Sequence, residues 1–254
     1  MKDISMIDND ILKDIEIIVL DVDGVLVPRG SIIEQEGRRT MFETKKIRES
    51  EINYIKQMNK LGYKINICSG RSLFMLQDMF REVLPFVTIT YENGSATWSN
   101  GNIVQHTNTF KHIEEVRKEL INIKDDRIKG WEPKEFIITI HSTSRIKKIE
   151  ETVDLFPDMQ CIWNGEAYDI MHKSQTKANG IKHLMDMFKL NKNNMLAIGD
   201  SYNDEDMLSV VGLAISADCD RVGGDYYIPM PAGVMMWKII HETRGKKEVS
   251  NKDS

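Results

Sequence analysis

A chain of 254 residues with 41% apolar content holds enough material for one large domain or two modest ones, which sets wholesale disorder aside. Its net charge of -5 argues against a nucleic-acid partner, whose binding surface normally carries a basic face, while one local positive cluster still serves a small anion. The opening residues, MKDISMIDNDILKDIE, are acidic, and no run is apolar for long enough to cross a bilayer, so a soluble cytoplasmic protein with no membrane partner is expected.

Short apolar runs alternate with helical patterns in the order that builds a doubly wound parallel sheet of the α/β class. IIVL at 17–20 is the first predicted strand. The stretch 27–47 is long, and within it SIIEQEGRRTMFETKKI reads as a hairpin turning near Glu36-Gly37. From Ser50, Ile52, Ile55, Met58 and Leu61 recur at helical spacing, and Gly62 stops the helix. A strand over 64–68 follows. Next come a helix from Ser72 carrying Leu73, Leu76, Met79, Phe80 and Val83, and a strand over 87–91 after Pro85.

The pattern then changes to a separate small α/β unit over 95–171. Asn100-Gly101 is the turn of a hairpin joining 96–99 to 102–105. A helix over 109–121, a strand over 135–141 and a helix over 144–156 follow, and Asn164-Gly165 turns a second hairpin between 160–163 and 166–171. The first rhythm resumes with a helix over 178–188, a strand over 195–198, a helix over 203–210, strands over 213–216 and 226–228, and a helix over 233–242. Thus 1–94 and 172–243 read as a discontinuous core, 95–171 as an insertion, and the charged tail 244–254 as disordered. Cys68, Cys161 and Cys219 lie far apart, without disulfide or zinc spacing.

In open parallel sheets, ligands sit outside the carboxyl ends of the strands, near the switch in strand order. Four polar stretches fall at such ends: Asp21-Val22-Asp23-Gly24, Ser69-Gly70-Arg71, Glu92-Asn93-Gly94 and Gly199-Asp200-Ser201-Tyr202-Asn203-Asp204. Asp21, Asp23, Asp200 and Asp204 therefore gather at one rim. Two unit charges 4 Å apart repel by roughly 4 kcal/mol near a protein surface, so such a set needs a cation. With oxygen donors and no histidine or cysteine among them, a hard divalent ion such as Mg²⁺ suits it. If strand geometry persists past Leu20, Asp21 and Asp23 project to one side, and Gly24 lets the backbone bend away. One carboxylate is then placed to attack an electrophile and its neighbour to trade a proton with the leaving oxygen. Ser69 and the Gly70 amide are placed as donors to an anion. The plain alternatives are a strand-end turn for Asp21 and helix capping for Asp200 and Asp204. Arg71 suits substrate binding or pairing with an acidic neighbour equally. Arg29, Arg38 and Arg39 suit an anion or merely a wet hairpin.

DVDGVL, CSGR, TKANG and GDSYNDEDML resemble, in order and spacing, the four motifs of the haloacid dehalogenase superfamily. YENGSA and the insertion after it resemble the Cof-type phosphatase branch with its large α/β cap, which includes sugar-phosphate, sucrose-phosphate, mannosyl-phosphoglycerate and phosphoglycolate phosphatases. The resemblance implies that Asp21 is a nucleophile forming an aspartyl-phosphate, with Asp23 as general acid and then base. It implies that Ser69 and Gly70 bind the phosphoryl group together with Asn203, and that Lys177 neutralises charge. Asp21, the backbone carbonyl of Asp23, and Asp200 would hold Mg²⁺, with Asp204 counted in the metal set. This sequence departs from the pattern in placing Gly180, not residue 178, after the lysine, and in carrying the 27–47 hairpin beside a full cap. The implied activity is hydrolysis of a small phosphorylated metabolite, a sugar phosphate or phosphorylated carboxylic acid. A phosphomutase is the nearest alternative and a non-catalytic binding protein a more distant one.

Overall fold

The computed structural model describes residues 1–30, 32–36, 39–229 and 236–243. In chain order its strands and helices begin with β1 (Lys2–Asp3), α1 (Asn9–Leu12), β2 (Ile17–Leu20), β3 (Ile33–Glu36), β4 (Arg39–Phe42), α2 (Glu49–Lys60), β5 (Lys64–Cys68), α3 (Leu73–Met79) and β6 (Val87–Tyr91). They continue with β7 (Ala96–Ser99), β8 (Asn102–Gln105), α4 (Phe110–Leu120), β9 (Ile128–Glu132), β10 (Ile138–Ser142), α5 (Lys147–Val153), β11 (Met159–Trp163) and β12 (Ala167–His172). α6 (Lys177–Phe188), β13 (Met195–Gly199), α7 (Glu205–Ser209), β14 (Leu213–Ser216) and β15 (Tyr226–Tyr227) follow, and residues 236–243 are helical.

Two compact units result. Met1–Arg29, Lys45–Val104 and Thr176–Ser254 form the larger, and Gly30–Thr44 with Gln105–Gln175 the smaller. The larger is built on a nine-stranded sheet in the order β1-β15-β14-β13-β2-β5-β6-β7-β8. Every pair from β1 to β6 runs parallel, and β6–β7 is antiparallel. All of β2 and β13 is buried, as expected of central strands covered on both faces. Side chains alternate along a strand, so Ile17 and Val19 share a face. They pack there with Met195 and Ala197 of β13, Ile181 and Leu184 of α6, and Met207 and Leu208 of α7. Residue 21 follows in the same parity, toward the helices of that cluster. β2 lies between β5 and β13, whose connections leave in opposite directions, so its carboxyl end is the switch point.

The smaller unit is a four-stranded sheet, β11-β12-β10-β9. Ile138, Ile140, Tyr168 and Ile170 pack against Ile113, Val116 and Leu120 of α4 and Ile149 and Val153 of α5. The alternate positions are polar: the Thr139 hydroxyl donates to Asp169 at 2.5 Å, and His141 Nε2 lies 3.1 Å from Glu132 Oε2.

Several expectations need correcting. The hairpin 96–105 was expected to open the insertion, yet β7 and β8 extend the large sheet. The cause is the turn after β6: Glu92, Asn93 and Gly94 all adopt the left-handed conformation, at φ 47, 54 and 85°, and reverse the chain so that Tyr91 faces Ala96 and Ile89 faces Trp98. The hairpin of β3 and β4, assigned to the core, groups with the smaller unit instead, because β3 packs on β9. Strand β9 was not foreseen, since Gly130 and Pro133 break the pattern of IKGWEP. α3 ends at Met79, and a 3-10 segment over Arg81–Phe86 containing Pro85 replaces its last predicted turn. The expected flap turn at Gly37, with Arg38 beside it, lies outside the described residues. So do the predicted start of the last helix at 233 and the tail 244–254.

Candidate active site

Asp21 continues the ladder beyond β2, its amide donating to Ile198 O at 3.0 Å, and its side chain is buried on the face that carries α6. The chain then turns tightly: the amides of Leu26 and Val27 donate to Val22 O, and that of Gly24 donates to Val27 O at 2.7 Å. Gly24 has φ +86°, and a Cβ there would stand 1.6 Å from Asp200 Oδ2. A glycine is required on both counts. Gly24→Ala is expected to displace Asp200 and cut turnover by more than about a hundredfold, as misplacement on the ångström scale does. Gly223→Ala, into open space, is the control and should leave turnover unchanged.

Lys177 is the first residue of α6, which Thr176 caps by accepting from the Asn179 amide at 3.2 Å. Its ammonium donates to Asp21 Oδ1 at 2.7 Å and to Asp204 Oδ1 at 2.5 Å, with all three side chains buried. Two glycines fix where α6 begins. A Cβ on Gly94 would meet Thr176 O at 2.2 Å, and one on Gly180 would meet Gly94 Cα at 2.8 Å. Gly180 therefore provides the close approach one helical turn after the lysine.

Asp200 follows β13, and its neighbour Asp204 braces the loop, Oδ2 accepting from the amides of Asp200 and Ser201 at 3.1 Å each. Arg29 caps the outer side of Asp200: Nε donates to Oδ2, while one terminal nitrogen donates to Asp200 O at 2.8 Å and to Asp218 Oδ2 at 2.9 Å. Asp23 is held by Arg71 through two parallel bonds of 2.7 Å. Ser69 is buried, and its Oγ accepts from the Arg71 amide at 3.2 Å. Gly70 lies between them in the same turn.

The electrostatics follow from this crowding. Burial pushes the Asp21 carboxyl well above the usual carboxylate range, Asp204 adds to the rise, and Lys177 opposes it. Burial and then Asp204 push Asp200 up to about 6 against the pull of Arg29. For Lys177, burial alone would lower the pKa, but the carboxylates of Asp204 and Asp21 outweigh it and hold the ammonium charged. Five carboxylates, those of Asp21, Asp23, Asp200 and Asp204 with Asp218 on Arg29, thus face three cations, Lys177, Arg29 and Arg71.

One carboxylate oxygen from each of Asp21, Asp200 and Asp204 lies within 4.8 Å of the others. Asp200 Oδ1 is buried with no hydrogen-bond partner among the described residues, so this acceptor is left for a cation. The all-oxygen donor set fits a hard divalent ion. The side chain of Asp23 is turned to Arg71 and stands outside this trio. Asn203 is exposed, its Oδ1 taken by Ser201 Oγ, and the structure does not bring it to the cluster. Arg29 is the residue whose place sequence reasoning left open. The surplus of carboxylates signalled that more cations were needed, without naming which.

A family model described as haloacid dehalogenase-like hydrolase matches residues 18–128 and 105–218. The chain is similar to a phosphoglycolate phosphatase of Sulfolobus acidocaldarius, 27% identical over 79% of this chain and 82% of that protein. A phosphoglycolate phosphatase of Picrophilus torridus is 26% identical over 77% and 76%. Among solved structures, a Thermoplasma acidophilum protein superimposes with a TM-score of 0.69 at 16% identity, covering 91% of this chain and 98% of that one. A phosphatase of the haloalkanoate superfamily from Bacteroides thetaiotaomicron gives 0.65 at 17% identity over 90% and 95%, a likeness of fold. The chain accordingly belongs to the haloacid dehalogenase-like hydrolases, in their Cof-type branch, and is a phosphatase acting on a phosphorylated substrate.

Proposed function

We propose that the protein is a Mg²⁺-dependent phosphomonoesterase that works through an aspartyl-phosphate on Asp21, with a small phosphorylated carboxylic acid or sugar phosphate as substrate. The convergence of Lys177 on Asp21 and Asp204 carries this reading, because a buried ammonium opposes the burial-driven rise of the Asp21 pKa and aims its carboxylate. An oxygen of Asp21 attacks phosphorus, forming an O–P bond as the P–O bond to the alcohol breaks. Asp23 gives its proton to the departing alkoxide. Since Arg71 binds both oxygens of Asp23, the acid step requires one of those bonds to be given up. Asp23 then takes a proton from water, whose oxygen attacks the acylphosphate, releasing inorganic phosphate and restoring Asp21. Ser69 and the Gly70 amide serve as donors to the phosphoryl oxygens. Asp21, Asp200 and the Asp23 carbonyl would hold Mg²⁺, with Asp204 bracing them, and the bound ion would supply positive charge to the phosphoryl group during transfer.

The names of two relatives support a short phosphorylated acid as the first choice. Treatment with EDTA should stop phosphate release and added Mg²⁺ should restore it, and full turnover of metal-free protein would overturn the metal assignment. In a panel assayed by phosphate release, 2-phosphoglycolate should rank above hexose phosphates. Isomerised hexose phosphate without free phosphate would instead mark a mutase.

A further inference from the structure

The smaller unit carries a second group of potential ligands, of different chemistry and wholly its own. His112 in the first turn of α4, Asp158 just before β11 and His172 at the end of β12 bring one ligand atom each to within 4.8 Å of the others. We propose that these three residues form a site for a borderline transition-metal ion of the Zn²⁺ class, with water completing its shell.

Three observations support the site. The imidazole centroids of His112 and His172 are 4.8 Å apart with planes at 59°. With metal–nitrogen bonds of about 2 Å, two imidazoles on one tetrahedral ion have centroids roughly 5 Å apart, which is close to the spacing of these two rings. His112 Nδ1 is buried without a hydrogen-bond partner among the described residues, a cost that an ion removes. His172 Nδ1 lies 2.7 Å from Ser174 Oγ and accepts from the Ser174 amide at 3.2 Å, contacts that orient the ring.

The backbone around the ligands is also fixed. Met159 pairs with His172 across β11 and β12, and the Lys173 amide donates to Asp158 O at 2.8 Å, which holds Asp158 beside His172. His112 comes from a helix whose Ile113 and Val116 are core residues. Two imidazoles and one carboxylate on three packed elements form a donor set for Zn²⁺, Co²⁺ or Ni²⁺, whereas the oxygen-only trio of the larger unit favours Mg²⁺. The Asp158 side is exposed, which gives an ion an entrance. An ion bound there ties α4 to the end of β12.

The test is calorimetric titration of the full-length, EDTA-stripped protein with Zn²⁺ in saturating Mg²⁺, so that the carboxylate trio is already engaged. One Zn²⁺ per chain is expected to bind at micromolar concentration or below. His112→Ala and His172→Ala should each weaken binding at least tenfold, and Asp158→Asn less. Co²⁺ should give a visible absorption band that the same variants lose. Magnesium-supported phosphate release by His112→Ala should equal that of the parent, confirming a folded protein. Absence of Zn²⁺ uptake below about 0.1 mM, or uptake unchanged in both histidine variants, would overturn the proposal.

Discussion

Asp21→Asn is expected to reduce phosphate release by at least four orders of magnitude, roughly the scale seen when a nucleophile is removed. The amide keeps the shape of the side chain and its place beside Lys177 but cannot form the acylphosphate. Its effect on stability has the opposite sign. In the folded chain burial and Asp204 raise the Asp21 pKa above its ordinary 3.8, so the native state binds a proton that the unfolded chain has lost. That contribution is fully present below the ordinary value and disappears as pH rises through the folded value. Without added divalent ion, Asp21→Asn should therefore gain stability relative to the parent as pH rises through this window, as urea denaturation would show. A variant that is inactive but at least as stable assigns the loss to chemistry. Retained turnover would remove Asp21 as the nucleophile.

Lys177→Met should be the most damaging change to stability and the second most damaging to rate. It leaves Asp21 and Asp204 buried without their shared cation, and breaking a buried pair by deleting one partner costs about 3–5 kcal/mol. Turnover should fall by roughly two to three orders of magnitude as charge stabilisation is lost. Combining it with Asp204→Asn removes one of the stranded charges. The double variant should recover part of the stability in urea and none of the rate. If Lys177→Met alone melts like the parent, the buried triad is not what holds the site together.

The rim of carboxylates was legible because it rests on local rules. Apolar strands of four or five residues locate their own ends, and period-two alternation places Asp21 on the side of Ile17 and Val19, where α6 and Lys177 lie. The partners of the arginines were not legible. Arg29 and Arg71 are long side chains whose choice among several nearby carboxylates is settled by tertiary geometry. Asn203 sits inside a recognisable motif, yet the 3-10 turn over Tyr202–Asp204 turns Asp204 inward and leaves Asn203 exposed. β1 has two residues, too few to show a period, and exists because β15 offers it an edge. The grouping of β3 and β4 with the smaller unit depends on a contact with β9, a strand that Gly130 and Pro133 disguise.

The chain leaves the larger unit after Val104 and re-enters it at Thr176, one residue ahead of the Lys177 ammonium. At that re-entry Gly94 and Gly180 press the start of the helix against the turn, leaving no room even for a methyl group. The lysine is thus registered by its own unit and not by whatever precedes it in the chain. Replacing the segment between Val104 and Thr176 with a chain of another length should therefore leave the Lys177–Asp21 pair where it is.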